Sequence, residues 1–292
     1  MIDTKGEKIF YAINYVMMSL IVLTTLLPFI NILAVSFSSE YAVLSGKVYL
    51  WPVEFNLTTY KAIFKGSTIM ASLKNTVLVT LVGTAINMLM TIAAAYPLSK
   101  KRLKGRNTVL MFITFTMLFN AGMIPNFILI KSMGLIDSYW ALWLSGALST
   151  YNMIVLKTFF EGIPPSMEES AAIDGCSDIG ILVKIVIPLS LPAIASIALF
   201  YAVGNWNAYF NVLLYITSSA KATLQIRLRD LLNTSAMDTI KNAVMDSQDS
   251  ANVTEESIKG ASIVVATVPI LIVYPFLQKY FVKGVMIGSI KG

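Results

Sequence analysis

The sequence predicts an all-α integral membrane protein with six transmembrane helices. Hydrophobic residues make up 56% of the chain and charged residues only 13%, about half the charged fraction of an ordinary soluble domain. Six apolar runs alternate with polar segments, and each run is long enough to cross a bilayer, which takes roughly 20 residues. We therefore predict a single membrane domain over residues 1–292, with spans at 9–37, 71–98, 107–130, 139–160, 191–216 and 263–281.

The first two spans are justified by their length and composition. The 9–37 run is too long for the core of a signal peptide, which indicates an uncleaved span. Residues 37–70 mix charges of both signs and predict an ordered outer loop, with Trp51 at the membrane interface. The 71–98 span is rich in small residues, namely Gly83, Ala85 and Ala93 to Ala95, which suits close helix packing in lipid.

A cluster of cations after the second span predicts the orientation of the chain. Five basic residues and no acid lie in this short stretch: Lys100, Lys101, Arg102, Lys104 and Arg106. Cytoplasmic loops carry such an excess, so we expect this loop and both termini to be cytoplasmic. The net charge of +6 could also suggest nucleic acid, but the cationic run is enclosed by two spans, so we expect no nucleic-acid partner.

The remaining spans alternate across the membrane. The third is interrupted near residues 120–125, and a short outer turn at 135–138 precedes the fourth. Alternation then places 161–188 in the cytoplasm. An outer loop at 217–259, with a helix predicted at 223–232 and an acidic, polar part at 238–256, separates the last two spans.

The polar segment 161–192 is the long polar break between apolar runs around which the rest of the chain is organised. Pro164 and Pro165 end the preceding helix, and Ser166 with Glu169 three residues later predicts a capping box. We expect a short helix over 167–174 that stops at Gly175, and a second helical piece over 177–187 that ends at Pro188. By pattern alone this is either a capped connector between two membrane helices or a docking element.

The same segment closely resembles the EAA loop of binding-protein-dependent ABC importers. That motif reads E-A-A, three residues, G, nine residues, I-x-L-P. Here it is carried by Glu169-Ser170-Ala171, Gly175 and the 185–188 stretch IVIP, with mild changes at Ser170 and Ile187. The segments 120–142, 199–210, 222–233 and 278–292 likewise resemble carbohydrate permeases, and most closely the maltose-transporter-type small permeases of the branch linked to complex oligosaccharides.

This resemblance implies a type I ABC importer permease fold and a set of partners. They are a second, different permease subunit, two ATPase subunits that carry ATP and Mg, an extracytoplasmic solute-binding protein, and an oligosaccharide substrate. The chain itself would lie in the bacterial cell membrane as a multi-pass protein. In that family the short helix couples the permease to an ATPase subunit, so the residues expected to do so here are Glu168, Glu169, Ser170, Ala171, Asp174 and Gly175.

Passage of a sugar requires aromatic faces and amide groups within the spans. The candidates for a substrate path are Tyr151, Asn152, Tyr201, Asn205, Trp206 and Asn207. Polar groups at membrane depth should face protein or water, but they also serve as helix-to-helix hydrogen bonds or as interfacial belts. Two interpretations therefore stay open: these side chains line a sugar path, or they have a structural role in helix packing or at the membrane interface.

Other functions fit the sequence less well. An ion-coupled secondary transporter usually carries ionisable residues within its spans, and the central turns predicted here contain essentially no acid. An ABC permease for a non-sugar solute is the nearer alternative, because the EAA loop alone does not fix the substrate. The chain has no His, a single Cys and no Walker-type phosphate loop, so we expect no enzymatic activity, no catalytic residues, no metal site and no cofactor of its own.

Overall fold

The computed structural model describes residues 4–65, 67–119, 121–232 and 254–289. Within these ranges all the regular secondary structure is helical, in agreement with the predicted fold class. The helices are α1 (Lys5–Ser36), α2 (Glu40–Leu44), α3 (Thr58–Lys65), α4 (Ser67–Ser99), α5 (Arg106–Leu118), α6 (Met123–Ser132), α7 (Tyr139–Ser145), α8 (Thr150–Glu161), α9 (Pro165–Ile173), α10 (Asp178–Ile181), α11 (Ile187–Leu189), α12 (Leu191–Trp206), α13 (Phe210–Tyr215), α14 (Leu224–Leu232) and α15 (Glu255–Ser289).

Three of these helices are long and apolar enough to cross a membrane by themselves, namely those that contain Gly6–Ser36, Thr68–Ser99 and Glu255–Pro275. Two bent helix pairs, α5 with α6 and α10–α11 with α12, each qualify as a span when taken together. The described part of the chain thus holds up to five candidate spans. The count of six stays a prediction.

Several predicted spans are interrupted helices. The 107–130 run is divided between α5 and α6, which meet at 114°. The 139–160 run is divided between α7 and α8, and the 191–216 run between α12 and α13. At the last break Asn207 caps α12, because its Nδ2 donates to the carbonyl of Val203 at 3.0 Å and so competes with the continuing helix.

The last helix starts earlier than the sequence predicts. Residues up to 259 were expected to form the outer loop, whereas α15 begins at Glu255. Its first turn is capped by Thr254, whose Oγ1 accepts from the amide of Ser257 at 3.1 Å. The helix at 223–232 is confirmed as α14, and most of the acidic, polar stretch at 238–256 lies outside the described residues.

The chain divides into two compact units. The first consists of Met1–Met70 and Arg227–Val268. In it α15 approaches α1 closely, since a Cβ on Gly260 would lie 3.2 Å from the carbonyl oxygen of Ile32. Ser36 and Tyr60 join α1 to α3 through a hydroxyl–hydroxyl hydrogen bond of 2.8 Å.

The second unit consists of Ala71–Ile226 and Pro269–Gly292. Among its described residues, two apolar clusters share α4. One lies at the carboxyl end of α4, where Tyr96 and Leu98 pack with Met153 and Phe160 of α8 and with Ile197 of α12. The other lies nearer the amino end of α4 and joins α6, α7 and α13 through Val79, Ile130, Leu142, Val212 and Tyr215.

An ionic clamp holds the connection after α13 to the turn before α7. Asp137 has a left-handed backbone with φ of 59°, and its carboxylate accepts from the amides of Thr217 at 3.0 Å and Ser218 at 2.8 Å. Lys221 Nζ lies 2.9 Å from the same carboxylate. The hydrogen bond from Lys221 and those from the backbone hold the pKa of Asp137 at about 2, below its usual 3.8.

We expect the variant Asp137→Asn to lower the thermal unfolding temperature of the purified protein in detergent at pH 7. Asparagine tolerates the left-handed backbone but loses the charge that pairs with Lys221. Because the folded-state pKa is depressed, the carboxylate's contribution is present above about pH 4 and is lost only as the pH falls through about 2. The difference between the two proteins should therefore stay constant from pH 5 to 8.

The matched control is Asp174→Asn, which changes an exposed aspartate at the end of α9 and should leave the unfolding temperature unchanged. An unfolding temperature for Asp137→Asn equal to that of the original protein would show that the clamp does not stabilise this unit.

Candidate functional site

The segment that follows α8 folds into a short helix with proline at its start. The preceding helix ends at Glu161, and α9 begins at Pro165, where proline fits because a first-turn residue needs no N–H partner. The predicted capping box is wrong, since Pro164 occupies the cap and no side chain caps α9. Ser166 instead lies within the first turn, because the helix starts two residues earlier than predicted.

The other end of α9 is formed by Gly175, as the sequence predicts. Its φ is 82°, a conformation that suits glycine. The amide of Gly175 donates to the carbonyl of Ala172 at 3.1 Å, and that of Cys176 donates to Ala171 at 2.9 Å. This pair of hydrogen bonds is a Schellman motif. Asp174 is the capping residue and is exposed.

The side chains of α9 divide between two faces. Glu168 and Ala171, three residues apart, are partly buried, and Ala171 packs against the apolar cluster at the end of α4. The opposite face is exposed and consists of Ser166, Glu169, Ser170 and Ile173. Ile173 is 86% exposed. A short helix therefore presents a mixed polar and apolar face that nothing within the described chain covers.

The chain after α9 returns to the membrane through a distorted helix. Ser177 caps α10, accepting from the amide of Gly180 at 3.2 Å, and a π-helical turn over Leu182–Val186 leads into α11. Pro188 has no N–H to complete the α-helical pattern, and a wider turn is one way to accommodate that loss. Contrary to the prediction, the helical piece continues past Pro188 to Leu189. It then meets α12 at 84°.

Ion pairs join this segment to the cationic turn between α4 and α5. The three pairs are Lys100 with Glu168, Arg102 with Asp178, and Arg106 with Glu161. The sequence analysis used these cations only to orient the chain. The signal that it missed is the charge complementarity of two segments. Residues 161–178 contain five acids and no cation, whereas residues 100–106 contain five cations and no acid.

Two of the candidate substrate-path residues form hydrogen bonds with other helices. The hydroxyl of Tyr201 on α12 lies 2.7 Å from Thr91 Oγ1 on α4 and accepts from the amide of Ser149 at 3.0 Å. Asn205 Nδ2 donates to Asn87 Oδ1 on α4 at 3.0 Å. Of the two interpretations left open by the sequence, these contacts favour helix-to-helix hydrogen bonding at both positions.

A cavity of about 430 Å³, lined by both apolar and polar side chains, lies at the break between α12 and α13. Its lining includes two of the predicted residues, Asn205 and Asn207, and also Tyr209 and Asn211. The sequence analysis did not select Asn211, although it falls four residues after Asn207 in the same amide-rich stretch. Three asparagines and one tyrosine around one cavity provide donors and acceptors for hydroxyl groups.

The other candidates lie elsewhere. Tyr151 is 60% exposed on α8, and Asn152 beside it is buried. Trp206 is buried and borders a separate apolar cavity of about 180 Å³. Within the described ranges, no group of three or more His, Cys, Asp or Glu side chains is placed to hold a metal ion.

The fold and site together define a helical membrane protein that presents the exposed face of α9 and contains an open cavity partly lined by amides. A family model described as "Binding-protein-dependent transport system inner membrane component" matches residues 67–287. The match covers most of the chain, and the chain therefore belongs to this family. The family resemblance noted in the sequence is confirmed.

Relatives and a solved structure agree with this assignment. Protein LplC of Bacillus subtilis (strain 168) is 45% identical, over 99% of this chain and 97% of its own length. The polygalacturonan/rhamnogalacturonan transport system permease protein YtcP of the same organism is 46% identical, over 98% and 99%. A bacterial ABC transporter involved in the import of the acidic polysaccharide alginate matches with a TM-score of 0.89 and 34% identity, over 96% of this chain and 99% of that one. The fold is that of an ABC importer permease.

We expect Gly83→Ala to destabilise the protein. A Cβ at this position would lie 2.9 Å from Asn205 Nδ2 and 3.2 Å from Trp143 Cδ1, so α4 and α12 must separate or Asn205 must leave Asn87. Overpacking of this kind costs about 1–3 kcal/mol, measurable as a lower unfolding temperature in detergent.

Gly204→Ala is the matched control, since it is also a helical glycine and a Cβ there meets nothing within 4 Å. It should be neutral or stabilising by up to ~1 kcal/mol through helix propensity. Equal effects of the two substitutions would contradict the close approach of α4 and α12 at Gly83.

Proposed function

We propose that this chain is one of two different permease subunits of a type I ATP-driven importer of oligosaccharides. The observation that carries the proposal is the exposed face of α9, which bears the EAA-like sequence in a chain that belongs to the binding-protein-dependent transport family. The chain would couple ATP hydrolysis by partner subunits to the movement of sugar across the bacterial cell membrane.

The proposed topology places α9 where an ATPase can reach it. The cationic turn around Lys100–Arg106 is assigned to the cytoplasmic side, and α9 is held to that turn by the Lys100–Glu168 ion pair. Both therefore lie on the same side of the membrane. The two termini are assigned to the cytoplasm as well, with six spans over a single permease domain.

The proposed assembly has four kinds of partner. A second permease subunit, two ATPase subunits that bind ATP and Mg, and an extracytoplasmic solute-binding protein complete the transporter, and lipid surrounds it. This chain carries no phosphate-binding loop sequence and would perform no bond chemistry. Its task is to change conformation, and ATP biases that change only if the coupling contacts differ between the two states.

The docking contact is proposed to be centred on Ile173 and Glu169. Burying an isoleucine side chain contributes about 1.5–3 kcal/mol, and Glu169 adds a carboxylate that points away from the permease. Ser170 lies on the same face, so its small side chain permits close approach. Asp174 and Gly175 shape the end of the helix, while Glu168 and Ala171 serve the coupling from the inner face.

We expect Ile173→Asp to reduce sugar uptake and sugar-stimulated ATP hydrolysis by about 10-fold or more in the reconstituted complex. A loss of about 1.4 kcal/mol corresponds to 10-fold in subunit affinity. Membrane insertion should be unchanged, because the side chain is 86% exposed. Ile173→Leu keeps the apolar contact and should behave like the original protein. Normal uptake by Ile173→Asp would rule out this face as the docking surface.

The substrate proposal is supported by the relatives and by the amide cavity. YtcP is named for polygalacturonan and rhamnogalacturonan transport, and the transporter of the solved structure is involved in alginate import. The cavity around Asn205, Asn207 and Asn211 offers hydrogen bonds that suit sugar hydroxyls. We assign these residues to the substrate path. Tyr151, Asn152, Tyr201 and Trp206 stay predictions of sugar contact.

We expect Asn211→Ala to raise the sugar concentration needed for half-maximal uptake by about 2- to 12-fold, the equivalent of one hydrogen bond of about 0.5–1.5 kcal/mol. The measurement is uptake into proteoliposomes that contain the whole transporter, with neutral and uronate-bearing oligosaccharides compared. Asn126→Ala on α6 is an exposed asparagine outside the cavity and should have no effect. An unchanged concentration dependence for Asn211→Ala would remove it from the substrate path.

A further inference from the structure

The short helix α9 has few attachments to the rest of the permease. None of its residues is fully buried, and its apolar contact with the core is made through the small side chain of Ala171. Its strongest remaining contact is ionic. Lys100 Nζ donates to both carboxylate oxygens of Glu168, the second at 2.6 Å. The two side chains are only 16% and 19% exposed, so the pair is poorly screened by salt.

Lys100 is itself fixed to the end of α4. Its ammonium lies 4.5 Å from the centre of the Tyr96 ring, a cation–π contact. Tyr96 in turn packs edge-on against Phe160 of α8 and donates from its hydroxyl to the carbonyl of Asp178 at 3.2 Å. Lys100 therefore joins α9 to residues that are buried within the membrane domain.

Arg106 makes a second attachment on the other side of the turn. Its Nε donates to the carbonyl of Leu98 at the end of α4, at 2.7 Å, and its guanidinium pairs with Glu161 at the end of α8. Glu161 also accepts from Lys157 at 2.9 Å. The side chains of Arg106, Glu161 and Lys157 are all less than a third exposed.

The third ion pair, Arg102 with Asp178, differs from the other two in being exposed to solvent. Arg102 and Asp178 are 71% and 64% exposed, and ion pairs in such positions contribute little. Lys101 and Lys104, in the same turn, are exposed as well. The cations of the turn thus fall into two classes, with Lys100 and Arg106 in partly buried contacts and the others in water.

We propose that Lys100 and Arg106 are positioning residues. Lys100 fixes α9 to the end of α4 through Glu168, and Arg106 fixes the end of α8, just before α9, to the same point through Glu161. Displacement of α9 then moves α4 and α12 instead of being absorbed by the loop. This inference rests on the proposed function of α9 as the contact with an ATPase subunit. Glu168 holds the helix from the inside, while Glu169 on the opposite face is left for the partner. The two adjacent carboxylates have separate roles.

The test measures the number of ATP molecules hydrolysed per sugar imported by the reconstituted transporter. Lys100→Met and Glu168→Gln should each raise this ratio at least several-fold, with ATPase subunits still co-purifying. The double variant K100E/E168K restores an ion pair with its charges exchanged and should recover most of the coupling. K100R keeps the charge and should stay close to the original ratio. K101M and K104M are the matched controls and should not change it.

A second measurement is independent of transport. Backbone hydrogen exchange over 165–173 should be faster in Glu168→Gln than in the original permease, and unchanged in K101M. Should Lys100→Met fail to insert, Glu161→Gln tests the Arg106 attachment by the same two measurements. The inference would be overturned if Glu168→Gln kept the original ATP-to-sugar ratio and the original hydrogen exchange over 165–173. It would also be overturned if the ATP-to-sugar ratio of K100E/E168K were as high as those of the single variants. If the unaltered chain fails to bind an ATPase subunit, the proposed function itself fails, and this outcome is distinguishable from the others.

Discussion

Every backbone N–H and C=O within a bilayer must find a partner inside the protein, because lipid offers none. This constraint explains why the described chain is helical, and also why its polar side chains lie where helices stop. Between α7 and α8 the carbonyl of Gly146 accepts from Asn87, and the amide of Ser149 donates to the Tyr201 hydroxyl. The break after α12 is closed by Asn207. At these two breaks a side chain supplies the missing backbone partner.

Polar side chains of this kind place the proposed substrate path next to the contacts that pack the helices together. Asn205 bonds Asn87 on α4 and also borders the amide-lined cavity. A residue in this position serves both helix packing and, in the proposed function, the substrate. Gly83 allows the arrangement, because α4 can approach Asn205 closely only where no Cβ intervenes. The substrate path therefore depends on how closely α4 and α12 pack.

At the membrane boundary, ion pairs replace part of the apolar packing that holds helices together within the bilayer. Around α9 the apolar contacts are sparse, and charge takes over part of the fixing role. Ion pairs at the surface contribute little, but removal of one partner from a partly buried pair leaves an uncompensated charge. The Lys100–Glu168 pair is of the second kind, whereas Arg102–Asp178 is of the first. A helix held in this way can remain rigid and still present an open face.

The sequence by itself determined the class of the protein. Apolar runs of bilayer length, the cluster of cations, and the spacing of Glu169, Gly175 and Pro188 were sufficient to predict a helical membrane domain and its family. Gly175 could be assigned because a left-handed helix end is a local property. These features depend on neighbours in the chain, so a pattern reveals them.

Tertiary structure decided the rest. No local pattern distinguishes Glu168 from Glu169, because the difference arises from Lys100, which is 68 residues away in the chain. Likewise the sequence could not show that Tyr201 and Asn205 bond Thr91 and Asn87 of α4. The breaks in the predicted fourth and fifth spans were also hidden, since an apolar run has the same composition whether the helix is continuous or interrupted. Long-range polar contacts set these outcomes, and their partners are defined only when the helices pack.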